Sequence, residues 1–252
     1  RHFDADLRVS ANAVRLGELS LGRGAASIVV QAGKMTVDLA ELATADERFN
    51  AQIGIDMTEA RPLYKLRGKM ETANLGPHFD GGPVPAFISG KAEVQFDLKG
   101  QGETLSQILS VVTGRLTLRG GVGGRAMLDT GALKALADHH ARRDDKKPTT
   151  PTPTSVLSKA PQAFDAIDAR MTMLGGFAMI EQATVKQSGN VTQITGWIDT
   201  TTRDLNLSAV QYPRQAATAK KTVIGVELNS YEIKGPWTDL VVRRMENATA
   251  LP

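Results

Sequence analysis

Residues 87–119 read FISGKAEVQFDLKGQGETLSQILSVVTGRLTLR, and the period of their polarity switches twice. Ile88, Ala92, Val94, Phe96 and Leu98 share one parity, while Lys91, Glu93, Gln95, Asp97 and Lys99 share the other. Successive side chains of a strand point to opposite faces, so this is a strand with one apolar and one wet face. Gly100 to Gly102 then break it, and Thr104 with Gln107 makes a T-x-x-Q capping box that opens a short helix. Leu105, Ile108, Leu109 and Val112 fall at i, i+3, i+4 and i+7, one apolar stripe. So short a helix cannot stand alone in water, so its stripe is expected to lie on the sheet. Gly114 closes the helix, and Leu116 and Leu118 resume strand alternation between Arg115, Thr117 and Arg119.

The same one-sided pattern runs outward in both directions. Phe3, Ala5, Leu7 and Val9 alternate with Asp4, Asp6 and Arg8; Val14, Leu16, Leu19 and Leu21 follow, and Met35, Val37 and Leu39 come after a turn at Gly33–Lys34. Phe49, Ala51, Ile53, Ile55 and Met57 alternate with Asn50, Gln52 and Asp56, and Leu66 and Met70 with Lys65, Arg67 and Lys69. Short turns between one-sided strands predict antiparallel meanders. Residues 74–85 form the first clear loop, and Gly120 to Gly124 a Gly-rich turn without the Lys-Ser/Thr of a phosphate loop. Leu133, Leu136 and Ala137 give a second helix starting near Asp129 or Thr130. Residues 142–154, charged and then rich in Pro and Thr, are expected to be an exposed, mobile loop. Strands resume with Ala169, Met171 and Met173, then Phe177 and Met179, Val185, Ile194 and Ile198, and Leu205, Leu207 and Ala209.

Composition narrows the function. There is no cysteine, which removes disulfides, thiolate metal sites and a cysteine nucleophile. His139 and His140 are adjacent, about 100° apart on a helix, so they do not present an i, i+4 chelating pair, and they read as solvated residues at a fraying helix end. No nucleophile elbow, zincin or phosphate-loop motif occurs, and no cofactor motif, so the reading is non-enzymatic. The sequence pI is near 9.2, but no basic cluster is interleaved with aromatics, which sets nucleic acid aside. No run of about 18 apolar residues is present. Two architectures explain the alternation equally: a sandwich or barrel whose apolar faces bury one another, or a long curved sheet whose apolar face serves as a groove for acyl chains.

The order of these pieces resembles the C-terminal region of the AsmA-like proteins. There an alternating strand, G-x-G, a helix of the type S-L-x-x-L-L and S/T-G-R-L-x-L follow one another, as residues 87–119 do. FDADLRVSANAVRLGELSLG (Phe3 to Gly22), GGRAMLDTGALKAL (Gly123 to Leu136), FDAIDARMTMLGG (Phe164 to Gly176), TRDLNLSAV (Thr202 to Val210) and YEIKGPWTDLVV are similar to further parts of that pattern, although Trp237 and Asp239 stand where Thr and Pro are usual. The resemblance implies one domain over residues 1–252: a half-pipe of antiparallel strands around an apolar interior, with a few short covering helices. It implies a periplasmic, bridge-type lipid transport segment of the Gram-negative envelope, tethered to the inner membrane by an anchor outside this chain. Its partners would be phospholipid acyl chains and inner- and outer-membrane proteins. Phe96, Leu98, Leu118, Met171, Met173, Phe177 and Met179 are the candidates for tail contact. The competing expectation is a scaffold for outer-membrane protein assembly, with a closed core and sheet edges that dock partners by strand addition.

Overall fold

The computed structural model describes residues 4–12, 14–16, 19–21, 23–44, 46–75, 88–126, 130–142, 162–214, 229–236 and 240–245. In chain order the strands are β1 (Ala5–Ala11), β2 (Val14–Leu16), β3 (Leu19–Leu21), β4 (Arg23–Gln31), β5 (Lys34–Ala43), β6 (Glu47–Asp56), β7 (Leu63–Thr72), β8 (Ile88–Ser89) and β9 (Ala92–Gln101). Helix α1 (Leu105–Val111) precedes β10 (Thr113–Gly120) and β11 (Gly124–Ala126), and helix α2 (Thr130–Arg142) precedes β12 (Gln162–Phe164). The chain closes with β13 (Ala166–Leu174), β14 (Phe177–Lys186), β15 (Asn190–Asp199), β16 (Asp204–Pro213), β17 (Asn229–Pro236) and β18 (Val241–Met245).

Thirteen strands form one large antiparallel sheet in the order β1-β4-β5-β6-β7-β9-β10-β13-β14-β15-β16-β17-β18. Among the described residues β1 and β18 each pair on one side only, so the sheet is open and not a barrel. Strands β12-β11-β8 and β2-β3 make two small sheets. The mainly β class and the long antiparallel sheet expected from the alternation are what the chain forms. Residues 76–85 of the expected first loop, residues 143–154 of the expected mobile loop, and Trp237 and Asp239 lie outside the described residues.

The tight turns follow backbone chemistry. Gln31 and Lys34 pair across a two-residue loop whose Ala32 and Gly33 have φ 49° and 78°, the left-handed geometry that joins twisted antiparallel strands. The expected turn at Gly33–Lys34 is thus one residue earlier.

Contacts gather the chain into two compact units: Arg1–Asn74, Ala92–Leu118 and Met171–Gly176 in the first, and Leu75–Lys91, Arg119–Arg170 and Phe177–Pro252 in the second. In the second unit α2 contacts β18, and Leu133, Leu136 and Ala137, the stripe read from sequence, are buried. Leu205, Leu207, Ala209, Tyr231, Ile233 and Val242 are buried with them on registered neighbours β16, β17 and β18. The Phe164 ring fills the space a side chain at Gly124 would need, which explains the glycine at that position. His140 is not a solvated residue: it is half-buried, and its Nδ1 accepts the Val242 N–H at 3.4 Å.

Helix α1 departs from expectation. Its Thr104 cap forms, with the Gln107 N–H donating to Thr104 Oγ1 at 3.3 Å, while Gln107 Oε1 reaches one residue past the cap and accepts from the Glu103 N–H at 2.8 Å. Yet no residue of the helix is buried. Within the helix Ile108 alone of the stripe turns inward, over Gly100 of β9, and Val112 just past its end is buried, while Leu105 and Leu109 face water. Seven residues make about two turns, enough for one inward anchor and not for a covering layer.

Candidate functional site

In the first unit, the registers of β1, β4, β5, β6, β7 and β9 line up apolar side chains into four transverse rows. Ala5, Val30, Met35, Ile55, Tyr64 and Gly100 make one; Leu7, Ile28, Val37, Ile53, Leu66 and Leu98 the next. Val9, Ala26, Leu39, Ala51, Gly68 and Phe96 follow, and then Ala11, Gly24, Leu42, Phe49, Met70 and Val94. A bulge in β5 at Ala40–Glu41 keeps the last row straight, because it brings even-numbered Leu42 onto the face of odd-numbered Leu39. Gly68 leaves room between Ala51 and the Phe96 ring, which lies 6.0 Å from the Phe49 ring at an interplanar angle of 24°.

Among the described residues these rows are assembled but only partly covered. Among their residues only Gly24, Leu42, Ala51 and Gly100 are buried; Leu7 and Val9 are exposed and the rest half-buried. A closed core buries its large aliphatics completely, as the second unit does at Leu205, Leu207, Ile233 and Val242. In the first unit the buried apolar side chains among the described residues are Leu42, Ala51, Ala92, Val112 and Leu118 alone. At about 4.8 Å between strands, six strands give each row a run of about 24 Å. One acyl chain occupies half of a bilayer's hydrocarbon thickness, about 15 Å.

The opposite face of the same strands is ionic. Arg67 donates to Asp97 at 2.7 Å, Gln52 to Asp38 at 2.7 Å, and Lys69 lies between Glu71 (2.8 Å) and Glu93 (2.9 Å). The hydrogen bonds from Lys69 lower the Glu71 pKa, and those two carboxylates raise that of Lys69. Exposed pairs of this kind add little stability. What they secure is polarity: this face stays in water, so the four rows are the apolar side.

The candidate tail contacts separate. Phe96 and Leu98 stand in the rows, half-buried. Leu118 is buried, and Met171 and Met173 are half-buried on the parity of buried Ile167 and Ala169. Phe177 and Met179 are exposed on the face of β14 opposite Ala178. Phe177 meets the Trp197 ring edge-on at 5.8 Å, and Met179 is registered with Trp197. Of the rows, sequence reading singled out as tail contacts Phe96 and Leu98 only; the register supplies the other members.

Among the described residues no group of three or more His, Asp or Glu is placed to hold a metal ion, and no helix is long and apolar enough to cross a membrane. No family model, curated protein or solved structure matches the chain.

Proposed function

We propose that the four apolar rows of the first unit shield phospholipid acyl chains, and that the protein is a non-enzymatic segment of a lipid conduit between the inner and outer membranes of a Gram-negative envelope. The observation that carries this reading is the contrast between the rows, aligned yet only partly buried, and β16, β17 and β18 of the second unit, where the same kind of strand buries its apolar side chains. A partly covered face of that extent is costly in water unless something apolar occupies it. The likeness of residues 87–119 to AsmA-like proteins supports the same reading and supplies the periplasmic setting.

Native mass spectrometry of the purified chain tests it directly, with co-purified phospholipid as the expected result. Ile53→Asn and Leu98→Asn, both in the second row, should weaken binding of a fluorescent acyl probe while costing about 1 kcal/mol or less, because the amide finds water. Leu207→Asn in the second unit should cost about 2 to 4 kcal/mol, since the polar group is stranded. Large destabilisation at all three positions with probe binding unchanged would instead favour the closed-core scaffold.

A further inference from the structure

Exposed apolar residues concentrate at one end of the first unit. Leu105 is 70% exposed, Leu174 61% and Met57 60%, with Leu109 and Val111 nearly half exposed. They come from three segments tied together by hydrogen bonds to backbone carbonyls. The Gly102 N–H donates to Pro62 O at 3.1 Å and Gln101 Nε2 to Arg61 O at 3.1 Å, joining the β6–β7 turn to the entry of α1. The Gly175 N–H donates to Val112 O at 2.9 Å, joining the end of β13 to its exit.

The same end carries cations without matching acids. Lys65 and Lys99 face each other directly in the β7–β9 ladder, an arrangement that is destabilising by itself. Where two carboxylates face each other, at Glu71 and Glu93, Lys69 sits between them. The Lys65–Lys99 row runs on through Gly54, Thr36 and Val29, and its first carboxylate is Asp6, four strands from Lys65. Asp97, two residues from Lys99, is engaged by Arg67. Arg61 and exposed Arg115 add to the positive side, against Glu59 and Glu103.

We infer that this end of the first unit docks on the surface of an anionic bilayer, with α1 lying in the interface; the inference rests on the lipid reading above. Leucines pointing outward on the row side of this end and unmatched cations on its wet face are together what a headgroup boundary satisfies: acyl chains below, phosphates alongside. Through Ile108 on Gly100, α1 also sits at the end of the row that runs from Ala5 to Gly100. A tail leaving the bilayer there meets the rows at their terminus.

Flotation of the 252-residue chain with vesicles tests it, using phosphatidylcholine alone and phosphatidylcholine with phosphatidylglycerol. The chain should float with the anionic vesicles and release as salt rises. Lys65→Gln and Lys99→Gln should each weaken partition about fivefold, the contribution of one cation near an anionic surface. Leu105→Asn combined with Leu109→Asn should weaken it as well, with the melting temperature unchanged because both side chains are exposed. A chain that stays unbound with anionic vesicles overturns the docking, and so does equal binding to both vesicle types that ignores the lysine changes. Acyl-probe binding by the same variants keeps the two readings apart: it should survive the α1 and lysine substitutions and fall with Ile53→Asn.

Discussion

At the scale of single residues, Asp56 shows how the turns of the first unit are held. Its carboxylate accepts from Thr58 Oγ1 (2.6 Å) and the Thr58 N–H (3.0 Å) and pairs with Lys34 at 2.9 Å. The Thr58 hydroxyl first, then Lys34, lowers its pKa to about 2, from an ordinary 3.8. A depressed carboxylate contributes stability that is fully present above the ordinary value and is lost as pH falls through the folded one. The native chain should therefore lose stability between about pH 4 and pH 2 through this group. Asp56→Asn should flatten that part of an acid-unfolding curve followed by circular dichroism; an identical slope would assign the acid sensitivity elsewhere. Ser230 illustrates the opposite situation, a buried hydroxyl with no hydrogen-bond partner among the described residues. It sits where the ladder of β17, not its own side chain, fixes the position.

At the scale of elements, the ladder depends on close approach. A side chain at Gly114 would strike Asp97 O and come within 2.9 Å of Leu98 Cα, and its φ of 139° is one that other residues rarely adopt. Gly114→Ala should cost about 1 to 3 kcal/mol from backbone strain before any clash is added. Gly121→Ala, with open space around it, should be near neutral when the two variants are compared in urea melts. Comparable midpoints for the two would show that β10 can shift away from β9. Much at this scale was legible in the sequence: the parity from Ala92 to Leu98, the Thr104 cap and the α2 stripe form as spelled, whereas Ile88, read on the same strand, falls on β8 in a separate small sheet. Two things were not. Alternation says which residues share a face, but not whether anything covers it, so the outward turn of α1 was invisible. Bulges also invert parity: Phe177, Met179, Ala183 and Val185 are all odd-numbered, yet the register shift between Ile180 and Ala183 puts the first two on the face opposite the last two. Trp197, the partner of Phe177 and Met179, was the residue whose bulk on β15 could have signalled that second surface.

At the scale of the whole molecule, each unit follows from its own packing. Apolar burial in the second should make its β15, β16 and β17 amides exchange slowest with solvent, since local opening there exposes buried aliphatics. Amides of β4, β5 and β6 in the first should exchange faster and slow on addition of phospholipid. Uniform protection in both units, unchanged by lipid, would count against an occupied apolar face.

The bulges at Ala40–Glu41 and Glu181–Gln182 bear on how such a chain can change over generations. A row asks of each position only that it be apolar and on the right side, so one aliphatic residue can replace another with little effect on its neighbours. Inserting one residue is a different event, because it turns every later side chain of that strand to the other side. Each of the two bulges takes up one such extra residue in place, so the residues beyond it keep their face although their number parity is inverted. Spacing, more than identity, is therefore what heredity has to preserve in this fold.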